Sequence, residues 1–211
     1  MANNTTKKQK EKKIPGLVDM VFSWSLKDVL NKDLYKDKVK EIPETFVSTD
    51  HYLKSYVTPL VEETHADLLS SLSTVSRAPA VEVHDVKISK DFKPPKGLYY
   101  NILLKRTIDE EQKGEKNESR YEPEVGDLVA LTDVKPRRIE DLNRPKRSYL
   151  IAVIQGMKDD GSGRIPILSS QVVPFKKPDR ERGEQGDKLF VVYLSNLTTN
   201  IRIWNSLDSD L

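Results

Sequence analysis

Ala78-Pro79-Ala80-Val81-Glu82-Val83-His84-Asp85-Val86-Lys87-Ile88 is where the hydrophobic period of the chain changes, and that change decides the fold. Val81 and Val83 alternate with polar residues, as a half-buried strand requires. Val86 and Ile88 then alternate in the opposite phase, with His84-Asp85 between them. A slip of one residue would turn the second pair to the wrong face, so a β-bulge near His84 is the economical explanation. Further strands read as Leu98–Thr107, Asp127–Leu131, Ser148–Gly156, Arg164–Val173, Lys188–Leu194 and Asn200–Trp204. They are rich in Val, Ile, Leu and Tyr and are bounded by Gly, Pro, Asp and Asn. Asp159-Asp160-Gly161-Ser162-Gly163 is a turn sequence that joins two of them as a hairpin.

Upstream of Pro79 the period is helical. Val18, Phe22, Leu26, Val29 and Leu30 form one stripe, preceded by the breaker Pro15-Gly16. Asn31 to Lys40 is charged enough to be the fraying end of that helix or a loop. A second helical region begins near Ser48 as N-cap and presents Leu53, Val57, Leu60, Leu68, Leu72 and Val75 on one side. Pro59 removes an amide donor inside it. A kink is expected there, or a second helix with Thr58 as N-cap and Pro59 in its first turn. Helices followed by strands with no helical pattern between them give an α+β chain with an antiparallel β-barrel of six to seven strands. The expected organisation is a disordered basic tail over residues 1–16, a helical, stalk-like region over 17–77, and the barrel with long charged loops over 78–207.

Composition excludes several classes of function. The chain has 211 residues, enough for a substantial core, and no cysteine, so disulfide scaffolds, thiolate metal sites and cysteine nucleophiles are absent. Thirty-five Lys and Arg against thirty-three Asp and Glu leave +2, so any binding of a polyanion must come from local clustering. No apolar run resembles a signal-peptide core or a membrane span. The expected location is nuclear or cytoplasmic, not secreted, with no membrane partner. Lys7-Lys8-Gln9-Lys10-Glu11-Lys12-Lys13 reads as a nuclear import sequence or as a solvated tail. Gly156 and Gly161 have the spacing of a phosphate-binding loop, but Ser162 and Gly163 stand where lysine and a hydroxyl are needed. His51, His65 and His84 are too far apart for a local zinc motif. No catalytic residue, metal site or cofactor is expected, and the chain reads as a non-enzyme.

The candidate chemistry is electrostatic. Lys135, Arg137, Arg138, Arg144, Lys146 and Arg147 face only Glu140 and Asp141, a local charge of +4 on a loop between two strands. Guanidinium forks suit bidentate phosphate contacts, and Pro136 and Pro145 restrain the loop. The competing reading pairs Arg138 and Arg144 with Glu140 and Asp141 around a short helical turn, Ile139–Leu142. A second cluster, Lys176, Lys177, Arg180 and Arg182, is diluted by Asp179, Glu181 and Glu184. The connection Asp109–Glu124 carries seven carboxylates and three basic residues, hostile to polyanions. Tyr99, Tyr100, Tyr149 and Tyr193 are candidates for stacking on bases, with core packing the favoured role. Trp24 and Trp204 read as packing residues, Trp24 with the alternative of a docking face.

Leu17-Val18-Asp19-Met20-Val21-Phe22-Ser23-Trp24-Ser25-Leu26-Lys27-Asp28-Val29-Leu30 and the sequence continuing to Val39 resemble the opening of plant senataxin-like helicases of superfamily one. Ile42-Pro43-Glu44-Thr45-Phe46, Thr58–Glu63, Gly126–Asp133 and Arg138–Leu142 are similar as well, so the resemblance runs from about Leu17 to about Leu207. It implies stalk helices plus a β-barrel set over the nucleic-acid path of the first motor domain. The family's ATP-binding lysine, acidic pair and arginine finger lie downstream of this region and have no counterpart in these residues. The implied role is a non-catalytic accessory module of an RNA/DNA helicase. Its partners would be single-stranded RNA or DNA, met through the basic loop, and the helicase motor domains in cis or trans. The alternative is a protein-interaction module that docks on the motor or another partner without touching nucleic acid.

Overall fold

The change of period at Pro79 separates a helical layer from a closed barrel. A computed structural model describes residues 16–105, 121–156, 161–176 and 186–208. Six strands, β1 (Ala80–Ile88), β2 (Tyr99–Leu104), β3 (Asp127–Thr132), β4 (Ile151–Ile154), β5 (Ile165–Ser169) and β6 (Phe190–Asn196), form the barrel. Their order is β1-β2-β5-β4-β3-β6, every pair antiparallel. Closure leaves no free sheet edge. The bulge falls where the phase change placed it. Val83 pairs with Leu104 and Asp85 with Leu103, so His84 is the extra residue. Beyond it Val86 turns to the interior, whereas Ile88 is 66% exposed.

Alternation along the strands builds two cores, as interior and exterior positions of a small barrel must. Tyr100, Ile102, Val129, Leu131, Ala152, Ile154, Ile165, Ile167 and Val191 fill the barrel. Leu128, Ala130, Ile151, Val153, Val192 and Leu194 point outward and are covered by helices. β3 is therefore buried along its whole length and reads as a continuous apolar run. β4 and β5 pair as neighbours, as the turn sequence between them requires, although residues 157–160 of that turn lie outside the described residues.

The covering layer is α1 (Leu17–Ser23), α2 (Leu26–Leu30), α3 (Thr49–Ser73) and α4 (Thr198–Asp208). The expected single first helix is two. Ser25 accepts from the Asp28 amide at 3.2 Å while the Asp28 carboxylate accepts from the Ser25 amide at 2.9 Å, a reciprocal cap that starts α2 afresh. Ser48 caps α3 by accepting from the His51 amide at 3.1 Å. α3 runs unbroken through Pro59, so no second helix begins at Thr58; its buried residues start only at Leu60. Trp24 is not a docking face. It is 7% exposed, its indole donates to the Tyr35 hydroxyl at 3.0 Å, and His65 meets its ring edge-on at 5.2 Å.

Asn200–Trp204 is helical rather than a strand. Leu197, Ile201, Trp204 and Leu207 recur at helical spacing and pack in the outer core, leaving Ile203 43% exposed. The Asn200 amide donates to Thr64 on α3 at 2.8 Å, joining the two helices by a polar contact. Gly126 makes room for the start of α4. Its φ is +85°, and a side chain there would run into Thr198. No helix among the described residues is long and apolar enough to cross a membrane. The basic tail falls in residues 1–15, outside the described residues, as does most of the acidic connection, residues 106–120.

Candidate nucleic-acid interface

The loop from β3 to β4 is built before its charges are placed. Leu142 is 3% exposed and, with Ile139, anchors a 3₁₀ turn (Ile139–Leu142) on the outer core. The Asp141 carboxylate accepts from the backbone amides of Arg137 at 2.9 Å and Arg138 at 3.1 Å. These two amides hold its carboxyl below the usual carboxylate range. Thr132 on β3 donates to the Asp141 carbonyl at 3.2 Å, and Asn143 accepts from the Tyr149 amide at 3.1 Å. Arg144 and Arg147 exchange backbone hydrogen bonds at 2.8 and 2.9 Å, so Pro145 and Lys146 form the tip of a small secondary turn. Backbone and buried side chains fix this loop, leaving most of its cations free of structural duty.

The six cations divide. Lys135, Arg137, Arg138 and Lys146 are exposed and form no ion pair among the described residues. Arg144 is exposed but paired with Asp133 at 3.3 Å. Arg147 is half-buried and donates through Nη2 to the Pro174 carbonyl at 3.0 Å, while its Nη1 is buried without a hydrogen-bond partner among the described residues. Arg147 is thus a strut between two loops. The pairing of Arg138 and Arg144 with Glu140 and Asp141 does not form, because Asp141 is taken by amides and Arg144 by Asp133. In the weaker cluster Lys177, Arg180 and Arg182 lie outside the described residues.

Strand order brings together what the sequence keeps apart. Thr132 ends β3, Ile151 begins β4, Ser169 ends β5, Ile88 ends β1 and Tyr99 begins β2, and the pairings put all of these at one end of the barrel. The β1–β2 hairpin therefore shares an end with the basic loop. It carries Lys87, Lys90, Lys93 and Lys96, all exposed and without an ion pair among the described residues, against the lone carboxylate Asp91. The sequence carries a lysine at every third position from 87 to 96, but only strand pairing sets these four beside the loop. Leu104 and Asp127, which bracket the acidic connection, lie at the opposite end.

That opposite end holds a groove of about 520 Å³ lined by His84, Leu103, Leu104, Lys105, Gly161, Ser162 and Gly163. Lys105 is paired with Glu82 at 3.2 Å, and Arg164 nearby is paired with the buried Asp85 at 2.6 Å. The groove therefore offers few uncommitted groups for chemistry, and the basic end is the stronger site. No cluster of His, Asp and Glu among the described residues has a metal-binding arrangement.

The tyrosines follow the packing reading where they are most buried. Tyr100 is 3% exposed and accepts from the Val173 amide at 3.2 Å; Tyr149 is 6% exposed in the outer core. Tyr99 and Tyr193 are half-buried, and Tyr193 lies against Tyr121 with ring centroids 5.4 Å apart. Trp204 is 5% exposed. Against the curated proteins the sequence finds no match. The model of one protein family matches residues 13–210, nearly the whole chain, so the protein belongs to the family described as Domain of unknown function (DUF6469).

Proposed function

We propose that this chain is a non-catalytic accessory module of a senataxin-like helicase that helps the motor engage single-stranded RNA or DNA through its basic loop. One observation carries the reading. Lys135, Arg137, Arg138 and Lys146 stand exposed and unpaired among the described residues, on a loop whose backbone is tied down by Asp141, Asn143 and Leu142. An ordered loop presents its charges without first losing the conformational entropy of a floppy one. Arg144 and Arg147 act mainly on the loop itself.

Four phosphate contacts on a single strand give a log–log dependence of affinity on salt with a slope of about −3. The test is oligonucleotide affinity across a salt series, for the parent chain and for Arg137→Glu with Arg138→Glu. Weakening with a shallower slope supports the role; a flat salt response, or no loss on charge reversal, removes it.

The protein-interaction reading is favoured by a different observation. The first turn of α3 and the segment before it are largely exposed, and Phe46, Tyr52 and the half-buried Tyr56 meet edge-to-face there at 5.0 and 5.1 Å, beside a 91% exposed Val47. Residues 31–58 carry as many lysines as carboxylates, so this strip suits an uncharged protein surface better than a polyanion. Capture of the separately expressed motor by this chain, unaffected by Arg137→Glu with Arg138→Glu but lost on Tyr52→Ala, favours it.

A further inference from the structure

We propose that the β1–β2 hairpin is a second anion-binding arm, in which Lys87, Lys90, Lys93 and Lys96 hold the backbone of the same single strand that the β3–β4 loop engages. The inference rests on the reading of that loop as a nucleic-acid contact, and adds the path of the strand: across the end of the barrel, from one arm to the other.

The hairpin is a fixed structure. Lys93 and Gly97 exchange backbone hydrogen bonds at 2.7 and 2.8 Å and close the tip, where a side chain at Gly97 would sit 3.1 Å from the Lys93 carbonyl oxygen. Phe92 packs edge-on against Tyr100, with centroids 5.4 Å apart. The Tyr100 hydroxyl accepts from the Val173 amide, and the next carbonyl, that of Pro174, accepts from Arg147 of the basic loop. The two arms are thus joined through the barrel mouth by a continuous run of contacts.

The hairpin leaves from β2 and the basic loop enters at β4, two strand spacings away with β5 between. At about 4.8 Å per spacing the strands that carry the two arms stand roughly 10 Å apart. A single phosphate does not bridge that gap, whereas a polymer with a charge on every residue meets both arms at once. Lysine supplies the point charges suited to backbone rather than base contacts. Across the two arms eight exposed cations lack an ion pair among the described residues.

The experiment uses the full chain, a short labelled oligouridine and three variants: Lys90→Gln with Lys93→Gln on the hairpin, Arg137→Gln with Arg138→Gln on the loop, and all four together. Removing two single-strand contacts makes the salt slope shallower by about 1.4 and weakens binding roughly tenfold at about 0.15 M salt. The proposal expects that change for the hairpin variant, a further one for the combined variant, and an unaltered thermal midpoint for each. A hairpin variant that binds as the parent does, while the loop variant weakens, overturns the second arm and leaves the loop reading standing. Loss of neither affinity nor slope in any variant overturns both. Anionic phosphatidylserine vesicles are the control: if they take up the parent chain while oligouridine does not, the occupant is a lipid surface and the proposal fails.

Discussion

Gly126→Ala is the perturbation whose cost follows most directly from the architecture. Gly126 enters β3 beside the first turn of α4, donating to Ile154 at 2.9 Å and accepting from Leu197 at 2.8 Å. With φ at +85°, an alanine is held in left-handed backbone at a cost of about 1–2 kcal/mol. Its Cβ also falls inside contact distance of the Thr198 hydroxyl and 3.2 Å from Thr198 Cβ. Moving that hydroxyl breaks its 2.9 Å hydrogen bond to the Val125 carbonyl, worth about 1 kcal/mol. The sum is about 2–3 kcal/mol, read as a lower midpoint in urea unfolding. Thr198→Ala removes the hydroxyl, so in that background Gly126→Ala costs about 1 kcal/mol less than in the parent. A cost below about 1 kcal/mol in the parent, or strict additivity of the two changes, would refute the claim that the barrel and α4 are clamped here.

Three further outcomes are expected. Ile201→Ala, which loosens the outer core, lowers stability by about 2 kcal/mol, whereas Ile203→Ala changes it by less than about 1 kcal/mol; thermal unfolding of the two separates α4 from a strand, which would set both isoleucines on one face and make their costs alike. Tyr149→Phe holds or raises stability by up to about 1 kcal/mol, because the buried hydroxyl has no hydrogen-bond partner among the described residues; a loss of more than about 1 kcal/mol in urea unfolding counts against that environment. The Asp141 carboxyl lies below its ordinary value, so its hold on the loop is complete at neutral pH and lost only as pH falls through that lowered value. In an NMR titration the Arg137 and Arg138 amides should shift together with a midpoint below about 3.9, and a midpoint above it contradicts the contact.

The parts of this fold written in local pattern were legible. The phase change between Val83 and Val86 located the bulge at His84, and Ser48 located the start of α3. What failed had a competing local cause. The cap formed by Ser25 and Asp28 divides an apolar stripe that would otherwise be one helix. Ile201 and Ile203 imitate strand alternation, while the helical spacing of Leu197, Ile201, Trp204 and Leu207 is what packing selects. Pro59 is carried inside α3 because helix stability comes from the packed half beyond it.

The candidate site was half legible for a similar reason. A dense run of arginine and lysine shows in the sequence of one loop. That Asp141 serves amides, that Arg147 ties to Pro174, and that the hairpin lysines share an end with the loop all depend on strand order. Strand order in a barrel is set by long-range pairing, which a local reading does not contain.

The central claim, that a basic barrel end grips single-stranded nucleic acid, is tested most directly by the affinity of the full chain for oligouridine over a salt series. The account predicts a log–log slope of about −3 or steeper, made shallower by Arg137→Gln with Arg138→Gln. Binding that is absent, or that does not respond to salt, would contradict it.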